Sequence, residues 1–362
     1  MKDFCTSSIR FINTHVPISI IIFAPLVVLF STIPLFFAHA HEVYVLSHEQ
    51  VQAVLNSNSP NPFTAISANK IQFFAWTFIG AMTVSIVFLV SIMRPLEKKI
   101  DPILFNIKRK FGFIIVRVTI GLSLMASGYY HALFGPELPL KDIVGPYSNI
   151  FSIALAIIGF CILIGFMTRA MGIAALCISL IGIYKYGPYM FTYSNYIGDI
   201  IFVGFLGAHV WSVDKHFLRW HGFMGVIERF AEKYAFLILR ITFGFSLIYA
   251  SVFAKFIHSE LALHTVLDYN LTNYFHFAPL FIVLGAGIVE ITLGTFMMIG
   301  FEVRFASLFL MFFLTLSLIY FGEAVWPHIV LFGGALALFV HGYDRYSVEG
   351  YFFKNAQYEP VL

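Results

Sequence analysis

Charge is what this chain has least of. Asp, Glu, Lys and Arg make up 11% of its 362 residues, against roughly a quarter in soluble globular domains, so a water-soluble domain is excluded. Cysteine is nearly as scarce. Cys5, Cys161 and Cys177 form no CxxC or CxxxC pair, which argues against a disulfide framework, a zinc-thiolate site or a thiol-redox motif. There is no Walker loop, no GxGxxG opening a βα unit and no Ser/His/Asp setting, so the short motifs for nucleotide binding and acyl transfer are missing. No helix pair carries a clear bis-histidine pattern for haem.

What the chain does have is apolar length. Hydrophobic residues make up 59% of it, 43 of them Phe, and mean hydropathy is +0.85. A bilayer core takes about 20 apolar residues per helix. That rule gives ten spans, near 17–38, 71–93, 112–134, 149–168, 170–191, 196–213, 235–256, 278–300, 304–322 and 326–342. Lys and Arg collect in cytoplasmic loops. With the N-terminus inside, only Lys70, Lys141, Lys185 and Lys255 of the 22 cations fall outside, leaving 18 on the cytoplasmic side.

The chain also echoes itself. RVTIGLSL at 117–124 and RITFGFSL at 240–247 share Arg, Thr, Gly, Ser and Leu in register. LIGFMTRA at 163–170 matches MIGFEVRF at 298–305, YKYGPY at 184–189 lies where IYFGEA does at 319–324, and WSVDK at 211–215 parallels HGYDR at 341–345. The expected organisation is an N-terminal helix pair (1–110), two four-helix units (111–234 and 235–346) and a cytoplasmic tail (347–362). Four helices return the chain to its starting side, so the two units run parallel, related by an axis along the membrane normal. The fold class is an all-α polytopic membrane protein.

Arg117 and Arg240 each sit about five residues into a span, within snorkelling reach of the headgroups. One reading makes them inner-leaflet anchors or bonds to the next helix's cytoplasmic end. The other makes them buried partners for an acid such as Glu290, near the middle of the eighth span. A carboxylate at that depth costs several kcal/mol unless paired or neutral. Its counterpart in the first unit is Leu155. Asp199 is a second intramembrane carboxylate without a counterpart.

In this order, Arg240, Gly244, Lys255, Glu290, Gly294, Gly300 and Arg304 resemble the pattern of the DoxX-like four-helix membrane proteins. The first unit keeps Arg117, Gly121, Gly128, Gly165 and Arg169, with His131 for the lysine. Lys255 stands one position later than the pattern expects, and the preceding glycine is missing. The resemblance covers 111–345. It implies a quinone-linked redox subunit in a bacterial-type cytoplasmic membrane, since similar proteins include a quinone-reducing subunit of a thiosulfate oxidoreductase and, more distantly, eukaryotic cargo receptors. Arg240, Lys255, Glu290 and His131 are the donors a quinone site would draw on, and Arg117, Arg240, Arg169 and Arg304 read as structural or interfacial.

The first 40 residues present a choice. A basic stretch, an apolar run and Ala38-His39-Ala40 fit a cleaved signal, whereas the run's length fits a retained helix. Cleavage after Ala40 would leave His41 at the new N-terminus, where amine and imidazole together suit copper, with His39 and His48 close by. Ser47 and Gln50 form a capping-box pattern for a short helix beyond. Eight of 13 histidines fall on the outer side, including His131, His258, His264, His276 and His328, and with Glu137, Asp142, Glu260, Asp268 and Glu323 they outline a polar vestibule. Tyr129, Tyr130, Tyr186, Tyr189, Tyr193, Tyr196 and Trp326 read as an interfacial aromatic belt.

On the inner side, 94–110 and 216–233 mix cations with apolar residues, as helices lying on an anionic leaflet do. Those charges adjoin spans and set orientation, so lipids are the partners and nucleic acid is not. Besides the quinone-linked subunit, two classes remain. Parallel repeats with intramembrane acids suit a carrier or channel-like protein, and the lack of cofactor motifs suits a non-catalytic assembly subunit of a membrane complex.

Overall fold

The computed structural model describes residues 59–93, 97–207, 213, 224–322 and 324–352. The span at 17–38, the candidate metal ligands His39, His41 and His48, the capping box at Ser47, Glu323 and residues 353–362 lie outside the described residues. Regular structure among the described residues is helical, apart from one bridge between Ala132 and Pro139. The helices are α1 (Lys70–Met93), α2 (Glu97–Tyr129), α3 (Ser148–Ile164), α4 (Thr168–Tyr186), α5 (Ser194–Leu206), α6 (Met224–Ser251), α7 (Ser259–Asp268), α8 (Pro279–Ile299), α9 (Val303–Phe321), α10 (Val325–His341) and α11 (Val348–Phe352).

Seven helical stretches are long and apolar enough to cross a membrane, α4 and α5 counting as one continuous stretch, with α10 shorter at 17 residues. Their outward faces are apolar: Ile71, Phe74 and Phe78 on α1, Ile150, Ile153 and Ile157 on α3, and Phe312 and Ile319 on α9 are all exposed. Soluble proteins rarely expose contiguous apolar patches of this extent. The chain is an integral, multi-pass membrane protein in contact with lipid.

Two helices depart from the sequence reading. The stretch 97–110 is not a separate surface helix. It forms the first part of α2, whose 33 residues run about 50 Å at 1.5 Å per residue, well beyond a hydrocarbon core of about 30 Å. Likewise α6 runs unbroken for 28 residues through 224–233. Gly112 at the start of the span does not interrupt α2, and no Pro or Gly stands between Gly225 and Gly244 of α6, so helical hydrogen bonding continues into both spans.

Between α3 and α4, Gly165 ends the helix in the left-handed conformation (φ 73°) and Met167 follows at φ 46°. Between α8 and α9, Gly300 (φ 69°) and Glu302 (φ 49°) do the same. These turns mark one end of the molecule, here called the arginine end because Arg240 and Arg304 lie there. The other end holds Lys255.

Close helix approaches recur as well. A Cβ on Gly159 of α3 would lie 2.6 Å from the Gly121 carbonyl of α2, and one on Gly294 of α8 would lie 2.7 Å from the Gly244 carbonyl of α6. Such small-residue crossings bring backbones together where lipid offers no hydrophobic drive. α5 packs on α6, and α10 packs on α2. Gly198 of α5 lies under Thr242 of α6, and Gly333 of α10 lies under Thr119 of α2. Val116, Ile120, Leu124, Tyr196, Phe202, Phe243 and Leu338 fill the space between.

Candidate functional site

The arginines come first because their surroundings correct an expectation. Arg117 is 3% exposed and Arg240 1%, so neither reaches lipid headgroups. Arg240 does not meet Glu290. Its guanidinium pairs with Asp344 at 3.4 Å, donates to the Tyr346 carbonyl at 3.4 Å and packs on Gly300, at the end of the next helix. Arg304 donates from Nε to the Phe339 carbonyl of α10 at 3.1 Å, and Arg169 packs on Gly207 after α5. Arg240, Arg304 and Arg169 tie helix ends together.

The segment after α10 completes this end. Glu349 accepts from the Val303 amide, the Glu349 amide donates to the Gly300 carbonyl at 3.1 Å, and Ser91 of α1 donates to Glu302 at 2.9 Å. Burial, and then the Glu302 carboxylate, push Glu349 up to about 8 from an ordinary 4.5. Burial also raises Glu302. A raised native pKa means the docked segment holds an extra proton between about 4.5 and about 8, so its docking weakens as pH rises through that window and levels off above it. The protection factors of amides 343–352, taken against the intrinsic exchange rate at each pH, should therefore fall from pH 5 to pH 8, and Glu349→Gln should flatten that fall.

At the opposite end the structure brings together two residues singled out from sequence. Lys255 Nζ lies 2.9 Å from Glu290 Oε2, with side-chain exposures of 4% and 17%. Lys255 sits in a π-helical turn, Val252–Ile257, which closes i→i+5 and so holds one more residue than an α turn. Gly287 of α8 lets Phe256 and the Lys255 stem pack close, and the Phe63 ring lies 5.4 Å from that of Phe256. The result is an ammonium–carboxylate pair at membrane depth, bordered by aromatic rings.

His131 and Asp199 are not part of this pair. His131 is exposed at φ 53°, its Nδ1 2.8 Å from Ser152 Oγ. Asp199 is fully buried in α5 and forms neither a hydrogen bond nor an ion pair among the described residues. The outer histidines do not converge: His264 faces Glu260 at 3.9 Å on α7, and His328 is buried. No three His, Cys, Asp or Glu gather to hold a metal among the described residues.

The belt reading also needs correction. Tyr129 and Tyr130 are exposed, but Tyr193, Tyr196 and Trp326 are buried. Tyr189, Tyr193 and Tyr196 line a cleft of about 50 Å³ between α5, α6 and α10, with Asn195, Ser246 and His328. Tyr189 (3.2 Å) and Tyr193 both donate to Glu137. Tyr196 donates to the Pro327 carbonyl at 3.0 Å and meets Ser123 at 2.8 Å, while Ser246 donates to Asn195 Oδ1 at 3.0 Å. His328 donates from Nδ1 to the Ala324 carbonyl at 2.9 Å. Tyr189 and Tyr193 stand in the 3₁₀ turn Gly187–Tyr193 and Tyr196 in the first turn of α5, a recurrence of tyrosine that the sequence already displays. No protein-family model, no curated protein and no solved structure matches this chain.

Proposed function

We propose that the chain is a DoxX-like membrane protein of ten spans, built from two tandem four-helix units (111–234 and 235–346), and that it serves as a quinone-linked membrane subunit oriented with its arginine end in the cytoplasm. The recurring glycine crossings, left-handed turns and buried arginines support the tandem reading. The observation that carries the functional one is the Lys255–Glu290 pair beside Phe256 and Phe63. A quinone head group needs an apolar, aromatic-sided slot reachable from lipid and a fixed donor for its carbonyl oxygen. The ammonium supplies that donor, and the carboxylate holds the ammonium in place. The Leu155 counterpart confines this chemistry to the second unit.

Organic extraction and mass spectrometry of protein purified in native lipid discs tests the reading. The expected result is co-purified quinone, reduced at least tenfold in Lys255→Met and Glu290→Gln. Absence of quinone from the wild type, or equal amounts in all three, would leave the second reading, a carrier or an assembly subunit. Asp199, a carboxyl buried at membrane depth, favours the carrier, because intramembrane acids mark ion and proton pathways.

A further inference from the structure

We propose that α5 carries a proton path from the lysine-end surface to Asp199, through Glu137, Tyr193 and Tyr196. The path is independent of whether Lys255 and Glu290 bind a quinone.

Glu137, in the loop before α3, is half-buried and accepts from both Tyr189 and Tyr193. Tyr193 and Tyr196 line the same cleft, with ring centroids 5.8 Å apart. At about 30 Å³ per molecule, its 50 Å³ takes one or two waters, enough to link one hydroxyl to the other. Asn195, Ser246 and His328 supply the partners such waters need. The Tyr196 hydroxyl is held by Ser123 and the Pro327 carbonyl. Asp199 follows one turn later on the same helix, where residues three apart are neighbours; its oxygens accept no hydrogen bond among the described residues, so the proposed path needs one further water between the Tyr196 hydroxyl and the carboxyl. Beyond it the stripe turns apolar, because Phe202, Val203 and Leu206 are all buried. A polar stripe thus enters from one side only and stops on a carboxyl.

The chemistry at that terminus favours a proton over a metal cation. Hard cations take six or more oxygen ligands, whereas Asp199 has no other carboxylate or hydroxyl bonded to it among the described residues. The charged groups on the packed elements do not neutralise it either. Arg117 of α2 and Arg169 of α4 form no ion pair with it, and α6 faces α5 with Thr242 and Ser246. The step itself is a simple transfer: water at Glu137 gives up a proton, the hydroxyl and water chain passes it on, and an Asp199 oxygen forms the O–H bond.

Infrared spectroscopy of the full-length protein in lipid discs, moved from H₂O into D₂O, tests this. The expected result is a protonated-carboxyl C=O band that is missing in Asp199→Asn and shifts on deuteration. In Tyr196→Phe, which keeps the ring and its packing, the band persists but its shift slows at least tenfold, and Glu137→Gln also slows it. A band unchanged in Asp199→Asn, or a wild-type exchange rate in Tyr196→Phe, overturns the proposal. Should Asp199→Asn not fold, the Tyr196→Phe rate decides alone.

Discussion

Lys255→Met is expected to destabilise the protein by about 3–5 kcal/mol, the cost of stranding one member of a buried ion pair. The lower part of that range applies, because the Glu290 side chain keeps 17% of its exposure. The Lys255→Met/Glu290→Leu double variant should recover most of the loss. Its environment already has a precedent within the chain, since Leu155 is buried on α3 against α2 across the same kind of glycine crossing. Thermal unfolding of the four proteins of the cycle measures the coupling directly. A coupling below about 1 kcal/mol would class the pair with surface ion pairs.

Arg240→Lys should be far from silent. An interfacial anchor would tolerate the exchange, since lysine snorkels equally well. The observed arginine instead reaches Asp344 and the Tyr346 carbonyl from a fully buried position against Gly300, and an ammonium lacks the planar fork that bridges two acceptors. The expected cost is about 1.5–3 kcal/mol, that of a hydrogen bond to a charged group. It should appear first as loosened docking of residues 343–352, read as faster proteolysis after Gly342. Arg304→Lys, which loses the bond to Phe339, should loosen α9 from α10 and leave that segment's proteolysis unchanged.

The membrane class and most helix positions were legible in the sequence, because twenty-residue apolar runs have few alternative structures. Glu290 was legible as well, since a lone acid in GIVEITLG has to be accommodated somehow. Its partner was harder to read. Lys255 lies in a π turn, and nothing in the sequence marks a widened helical turn off from a regular one. Arg240's partner was hidden for a different reason: Asp344 lies over a hundred residues away, beyond the last span, and composition says nothing about where that segment folds back. Tyr189, Tyr193 and Tyr196 were misread because interface and interior positions draw on the same residue type.

The packing of α10 on α2 and of α5 on α6 bears on how the chain is made. As synthesis proceeds, α2 enters the bilayer long before α10 exists, so the surface beneath Thr119 waits through most of translation for Gly333 to arrive. The first half can insert but cannot close on its own, and α5 has its seat on a helix not yet synthesised. A ribosome stalled midway therefore releases a fragment with two unsatisfied helix faces, exposed to membrane quality control. Two polypeptides divided between α5 and α6 are expected to hold complementary surfaces, α5 for α6 and α2 for α10, and co-purification of the two from one membrane checks this.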